Sequence, residues 1–167
     1  ITKPKLILEC GSGISTLLSA YALEKTGGGR ILSIDHDEAF AGVTRTHLIR
    51  HGFAPTLHTV TYAPLIKQSA LGKTFIWYDP AFLASLKEKI DLLIVDGPPH
   101  KTQFQARLPA LPLLISKLSD TATVILDDAK REDETGIVQS WLSQFPDFSL
   151  ALHDTQKGVA ILKRNKV

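Results

Sequence analysis

The 167-residue chain has the length of one domain, with 44% hydrophobic residues, 22% charged residues and a formal net charge of +2. Lys and Arg are scattered, so there is no basic stripe to meet a phosphate backbone, and the composition is that of an ordinary globular protein. Cys10 is the one cysteine, which excludes an internal disulfide and a cysteine-rich zinc site. The apolar runs stay far short of the roughly 18 residues that cross a bilayer.

These limits lead us to expect a single cytoplasmic domain with no nucleic-acid or membrane partner, open to forming a homo-oligomer. The chain lacks Met and begins at Ile1, four residues before its first apolar run. Residues upstream of Ile1 that cover the site are therefore expected.

In chain order, residues 5–10 (KLILEC) are a short apolar run ended by glycine, the pattern of a buried parallel strand. Residues 14–25 place Leu17, Leu18, Tyr21 and Ala22 at helical spacing, and Gly27-Gly28-Gly29 stops the helix. Residues 30–35 (RILSID) form a second strand, and 37–51 a helix with Asp37 as N-cap and Gly52 beyond its end. Residues 56–62 alternate as a third strand. The irregular stretch 64–89 holds a short strand over 75–78 and a helix from Pro80.

Residues 91–96 (DLLIVD) are the clearest strand, ended by Gly97-Pro98-Pro99. A helix over 103–118 is kinked by Pro109 and Pro112. Residues 121–127 (TATVILD) make the fifth main strand, followed by a helix over 132–145. The segments 148–153 and 158–163 are separated by too few residues for a crossover helix, so they pair antiparallel. The expected fold is an α/β, doubly wound, mostly parallel Rossmann-like sheet of seven strands, with one antiparallel strand at the C-terminus.

Sheets of this kind bind ligands beyond the carboxyl ends of their strands, near the first strand. There the chain reads Glu9-Cys10-Gly11-Ser12-Gly13-Ile14-Ser15-Thr16. Gly11 suits a tight turn, Gly13 permits close approach to a ligand, and the next helix aims N–H groups at the same place. Asp35 ends the second strand, where a carboxylate can accept hydrogen bonds from both ribose hydroxyls of an adenosine. A dinucleotide fingerprint asks for a third glycine where Thr16 stands. S-adenosylmethionine has no phosphate, and the hydroxyls of Ser15 and Thr16 can bond its methionine carboxylate. An NAD-dependent oxidoreductase and a non-catalytic S-adenosylmethionine-binding domain stand as alternatives.

The segment from Glu9 to Gly13 resembles motif I of class I S-adenosylmethionine-dependent methyltransferases, and Ile34-Asp35 resembles their ribose-binding acid. Residues 92–99 (LLIVDGPP) resemble their fourth-strand motif, and the terminal hairpin with Lys157-Gly158 their reversed last strand. Trp77-Tyr78-Asp79 adds a likeness to a branch of small O-methyltransferase-like proteins. The resemblance implies a methyltransferase whose cofactor site takes in Glu9, Gly11, Ser12, Gly13, Ser15, Thr16, Asp35 and Asp96. It also puts His36 and Ala63 beside the adenine, and implies a small-molecule methyl acceptor.

Asp96 ends the fourth strand and Asp127-Asp128 the fifth, so three carboxylates meet on one rim, a setting that suits Mg²⁺. This arrangement resembles metal-dependent O-methyltransferases, in which a cation holds and acidifies the acceptor hydroxyl. Capping of the next helix is the other reading of Asp127 and Asp128. Asp96 and His100 are the candidate catalytic groups, His100 as a base for the acceptor proton. Trp77 and Tyr78 are candidate walls of the acceptor pocket.

Overall fold

Leu6–Cys10 is apolar at four of its five positions, and all five are buried. It forms β1, the middle of a sheet covered on both faces. The computed structural model describes residues 3–165; the cover expected upstream of Ile1 lies outside them. Five strands run parallel: β1, β2 (Arg30–Asp35), β3 (His58–Tyr62), β6 (Ile90–Val95) and β7 (Leu118–Asp127). A terminal hairpin of β8 (Phe148–His153) and β9 (Val159–Arg164) completes the seven.

The sheet order is β3-β2-β1-β6-β7-β9-β8, with β9 antiparallel to both β7 and β8. The expected doubly wound sheet with its reversed C-terminal strand is therefore observed. The chain builds outward from β1 to β3, then returns to build the other way from β6. The crevice at that reversal, between the ends of β1 and β6, is where such sheets take a ligand.

The helices α1 (Ile14–Thr26) and α2 (Glu38–Arg50) lie on one face, where Ala20, Ala41, Leu48, Phe53 and Val60 pack together. Asp37 caps α2 by accepting from the Phe40 N–H at 3.0 Å, as its position suggested. The opposite face carries the larger core, in which Leu6, Leu8 and Cys10 share a cluster with α3 (Ala110–Leu114) and α4 (Glu132–Gln144). Trp141 of α4 is fully buried, and its indole N–H donates to the Leu108 carbonyl at 2.8 Å.

Three stretches depart from expectation. Residues 64–79 form a second sheet, the hairpin of β4 (Leu65–Ala70) and β5 (Lys73–Tyr78), where one short strand was expected. The helix expected from Pro80 is a 3₁₀ turn over Pro80–Ser85. Of the helix expected over 103–118, only Ala110–Leu114 is α-helical. Pro112 sits in its first turn, where no backbone N–H is needed, and upstream of it Gln105 takes a left-handed conformation with φ 51°.

Candidate functional site

The turn after β1 is built by two glycines at positive φ, Gly11 at 98° and Gly13 at 152°. A Cβ at Gly11 would stand 3.4 Å from backbone atoms of Asp96 and Gly97, in contact with the end of β6, and its positive φ is what calls for glycine. The Ser12 N–H and hydroxyl both donate to Asp35 Oδ2, at 3.0 and 2.7 Å, and the Asp37 N–H donates to Asp35 Oδ1 at 3.0 Å. These donors fix the buried Asp35 carboxylate at the edge of a cleft of about 410 Å³. Gly11, Ser12, His36, Phe40, Tyr78, Asp96 and Lys101 line the same cleft.

Glu9 and Thr16 lie beneath the turn rather than in the cleft. Both are fully buried; Thr16 Oγ1 donates to Glu9 Oε2 and accepts from the Gly13 N–H at 3.0 Å. The Ser33 hydroxyl also donates to Glu9 Oε2, while Oε1 has no partner. Burial pushes the Glu9 carboxyl above its ordinary value, and the surrounding hydroxyls offset this only in part. This corrects the expectation of direct cofactor contact. The motif acid and the Thr16 hydroxyl satisfy each other, because an acid pointing back under the turn needs hydroxyl donors there. Ser15 is half-buried next to them and outside the cleft lining.

The remaining expected residues divide. His36 lines the cleft, with Nδ1 3.4 Å from Asp35 Oδ1. Ala63 is buried outside the lining, and its N–H donates to the Asp35 carbonyl at 2.8 Å, a strand-end bond that steadies the acid. His100 is exposed on a short 3₁₀ turn and does not line the cleft; its neighbour Lys101 does. The expected place of His100 in the pocket is thereby corrected, since the imidazole is not part of the cleft lining. Trp77 is core, whereas Tyr78 lines the cleft with a buried hydroxyl that has no partner. A Cβ at Gly97 would stand 2.3 Å from that hydroxyl, so Gly97 is what admits the phenol.

Asp96, Asp127 and Asp128 do converge, with one carboxylate oxygen from each lying within 4.8 Å of the others. Sequence reasoning missed what lies between them. Arg107 is buried, and its Nη2 donates to Asp96 O at 2.9 Å, Asp96 Oδ1 at 3.1 Å and Asp128 Oδ2 at 3.2 Å. Its Nη1 donates to Asp127 O at 3.0 Å and lies 3.5 Å from Glu134 Oε1. Arg131 pairs with Asp128 Oδ2 at 2.9 Å, and Lys157 Nζ stands 3.6 Å from Oδ1. Burial raises the Asp96 carboxyl above its ordinary value, an effect the Arg107 charge opposes. Nothing in the local pattern around Arg107 marked it, since its partners come from 11 to 27 residues downstream or upstream. Phe40 and Lys101 also carried no signal, being a helix residue and a loop cation.

The methyltransferase domain family model matches residues 8–129. The chain belongs to the methyltransferase domain family. The class I, S-adenosylmethionine-dependent type expected from its motifs is thereby borne out. No curated protein gives a significant match. Among solved structures, the methyltransferase PaMTH1 of Podospora anserina, bound to S-adenosylhomocysteine, superposes with a TM-score of 0.68 at 16% identity, covering 98% of this chain and 73% of that one. The O-methyltransferase TomG of Streptomyces achromogenes, in complex with S-adenosylmethionine, gives 0.67 at 16% identity, covering 98% and 74%. The ribosomal protein L11 methylase of Lactobacillus delbrueckii gives 0.64 at 15% identity, covering 100% and 72%. At such identities the likeness is one of fold, and it spans proteins described by different acceptors. No helix among the described residues is long and apolar enough to cross a membrane.

Proposed function

We propose that this methyltransferase binds S-adenosylmethionine in the cleft between β1, β2 and β6 and moves its methyl group to an oxygen of a small-molecule acceptor. The observation that carries the reading is Asp35, buried at the cleft edge and aimed by three protein donors just beyond the glycine turn. Oδ1 has one protein donor at hydrogen-bonding distance and keeps a lone pair for a ribose hydroxyl. Rotation of the Ser12 hydroxyl releases a second on Oδ2. The methionine end then lies toward Gly11 and Gly13, at the N-terminus of α1, whose free N–H groups suit a carboxylate. The methyl group faces Asp96, Tyr78 and Lys101, the acceptor side of the cleft.

In the transfer, an acceptor oxygen lone pair attacks the methyl carbon in line with the breaking carbon–sulfur bond. The sulfonium becomes a thioether and the acceptor proton leaves to a base. Holding the two reactants in line does much of the work. Asp96 is the group in place to take the proton, because it lines the cleft and Arg107 occupies only its Oδ1. A divalent ion fits this rim poorly, since Arg107 already donates to Asp96 and Asp128, and no step is routed through one.

The test is calorimetry with S-adenosylhomocysteine and NADH, followed by labelled methyl transfer to a panel of phenols, catechols and sugars. Saturable binding of the first, none of the second, and transfer to a hydroxyl are expected. Binding of NADH alone would point to an oxidoreductase. Cofactor binding without transfer to any acceptor would point to a non-catalytic binding domain.

A further inference from the structure

We infer that the Arg107 guanidinium is the resident cation of the Asp96–Asp127–Asp128 rim, standing where a divalent ion would sit, and that this methyltransferase works without a metal. The inference rests on the methyltransferase reading only for what the rim serves. Carboxylates gathered at the ends of the adjacent strands β6 and β7 repel one another and need a counter-charge. Arg107 supplies it from inside the protein. The guanidinium is 4% exposed and bonds to all three residues, reaching two through side-chain oxygens and all but Asp128 through backbone carbonyls. A planar fork of donors serves several oxygens at once, much as a cation with several ligand sites does, and it cannot be deprotonated.

The surroundings are built for this charge. Glu134 stands on the far side of the guanidinium, while Arg131 and Lys157 flank Asp128, so three cations face four carboxylates. A bound Mg²⁺ would have to compete for Asp96 Oδ1 and Asp128 Oδ2, which the guanidinium already occupies. Asp128 itself is held at φ 57°, a left-handed conformation that aspartate adopts more readily than most side chains. That backbone turns its nearly buried carboxylate onto Arg107 and Arg131. Arg107 is buried away from the acceptor, so it acts through Asp96 as a positioning residue. It holds Oδ1 and leaves Oδ2 without a protein donor among the described residues.

The experiment is a titration of chelator-treated protein with Mn²⁺, followed by electron paramagnetic resonance and, with Mg²⁺, by calorimetry. Neither cofactor nor acceptor is needed, so the result stands apart from whether S-adenosylhomocysteine binds. The wild type is expected to leave Mn²⁺ free into the millimolar range. Saturable Mn²⁺ binding that Asp128→Asn abolishes overturns the inference. Arg107→Met keeps the buried stem and removes the charge. It is expected to bind Mn²⁺ at least tenfold more tightly than the wild type and to melt at a higher temperature when Mn²⁺ is present. A folded Arg107→Met that gains no Mn²⁺ affinity also overturns it. If Arg107→Met does not fold, Arg107→Lys restores a cation and is expected to fold and remain blind to Mn²⁺. An Mn²⁺-dependent Arg107→Lys would count against the inference.

Discussion

Two buried carboxylates on adjacent strands, Glu9 opposite Ser33 and Asp35 two residues beyond it, serve different ends. Asp35 is held by backbone and hydroxyl donors at the cleft edge, so Asp35→Ala removes the charged acceptor proposed for two ribose hydroxyls. Each such bond is worth roughly 1.5–3 kcal/mol, and S-adenosylhomocysteine affinity is expected to fall by about tenfold or more in calorimetry. Unchanged affinity in a folded variant would move the ribose elsewhere. Glu9 works under the turn instead. Its carboxyl sits above its ordinary value of 4.5 because burial disfavours the charge. A group raised in this way stabilises the fold fully below its unfolded value, and the contribution is lost as pH rises through the folded value. Glu9→Gln keeps acceptors for Thr16 and Ser33 without that loss. Its melting temperature relative to wild type is therefore expected to climb as pH rises from 4.5 upward. A constant difference across pH would show that folding does not shift the Glu9 carboxyl from its unfolded value. Glycine spacing and Asp35 made the turn and the acid that line the cleft readable in the chain. The Glu9 side chain was not, because motif position says where a strand ends but not which way its last acid points.

At the level of elements, what could be read was what repeats locally. The buried strands and the capped helices α1 and α2 announce themselves by apolar runs, Asp37 and the glycines after their ends. The β4–β5 hairpin did not, since its two-residue turn is Leu71-Gly72, with φ values of 53° and 71°. Such turns ordinarily carry Asn-Gly or Asp-Gly, because both positions require positive φ. Leucine there hid the signal and keeps some strain. Leu71→Asn is expected to stabilise the protein by about 0.5–1 kcal/mol, the left-handed penalty being partly offset by lost apolar contact at a residue that is 38% exposed. Urea denaturation measures this, and a destabilised variant would mean that Leu71 contributes more by packing than it costs in conformation. The segment that carries Arg107 was misread for a similar reason. A helical apolar spacing over 103–118 is overridden by Gln105 in a left-handed conformation and by Gln103, whose side chain bonds the Ile76 N–H at 2.9 Å.

Across the whole molecule, the site draws on residues far apart in the chain. Gly11 and Asp35 come from its first quarter, Asp96 and Arg107 from the middle, and Lys157 from the turn between β8 and β9. A chain cut after Gln144 would lose that turn and leave β7 as an open edge, with Val124 and Leu126 flanked by unpaired backbone groups. Such a chain is expected in the aggregated fraction, without S-adenosylhomocysteine binding; a soluble, cofactor-binding fragment would contradict this.

The antiparallel course of β9 has a further consequence, for synthesis. In the sheet β9 lies between β7 and β8, although it is the last of the three to be made. On the ribosome, β8 therefore emerges with its eventual neighbour still to come and no direct place beside β7. The sheet is completed only when residues 159–164 have cleared the exit tunnel and can pair with both β7 and β8. Until then a nascent chain can hold the glycine turn and Asp35 in place while Asp128 still lacks Lys157. The acidic rim at the end of β7 is thus the last part of the sheet's carboxyl edge to gain its full set of cations, and translation sets that order.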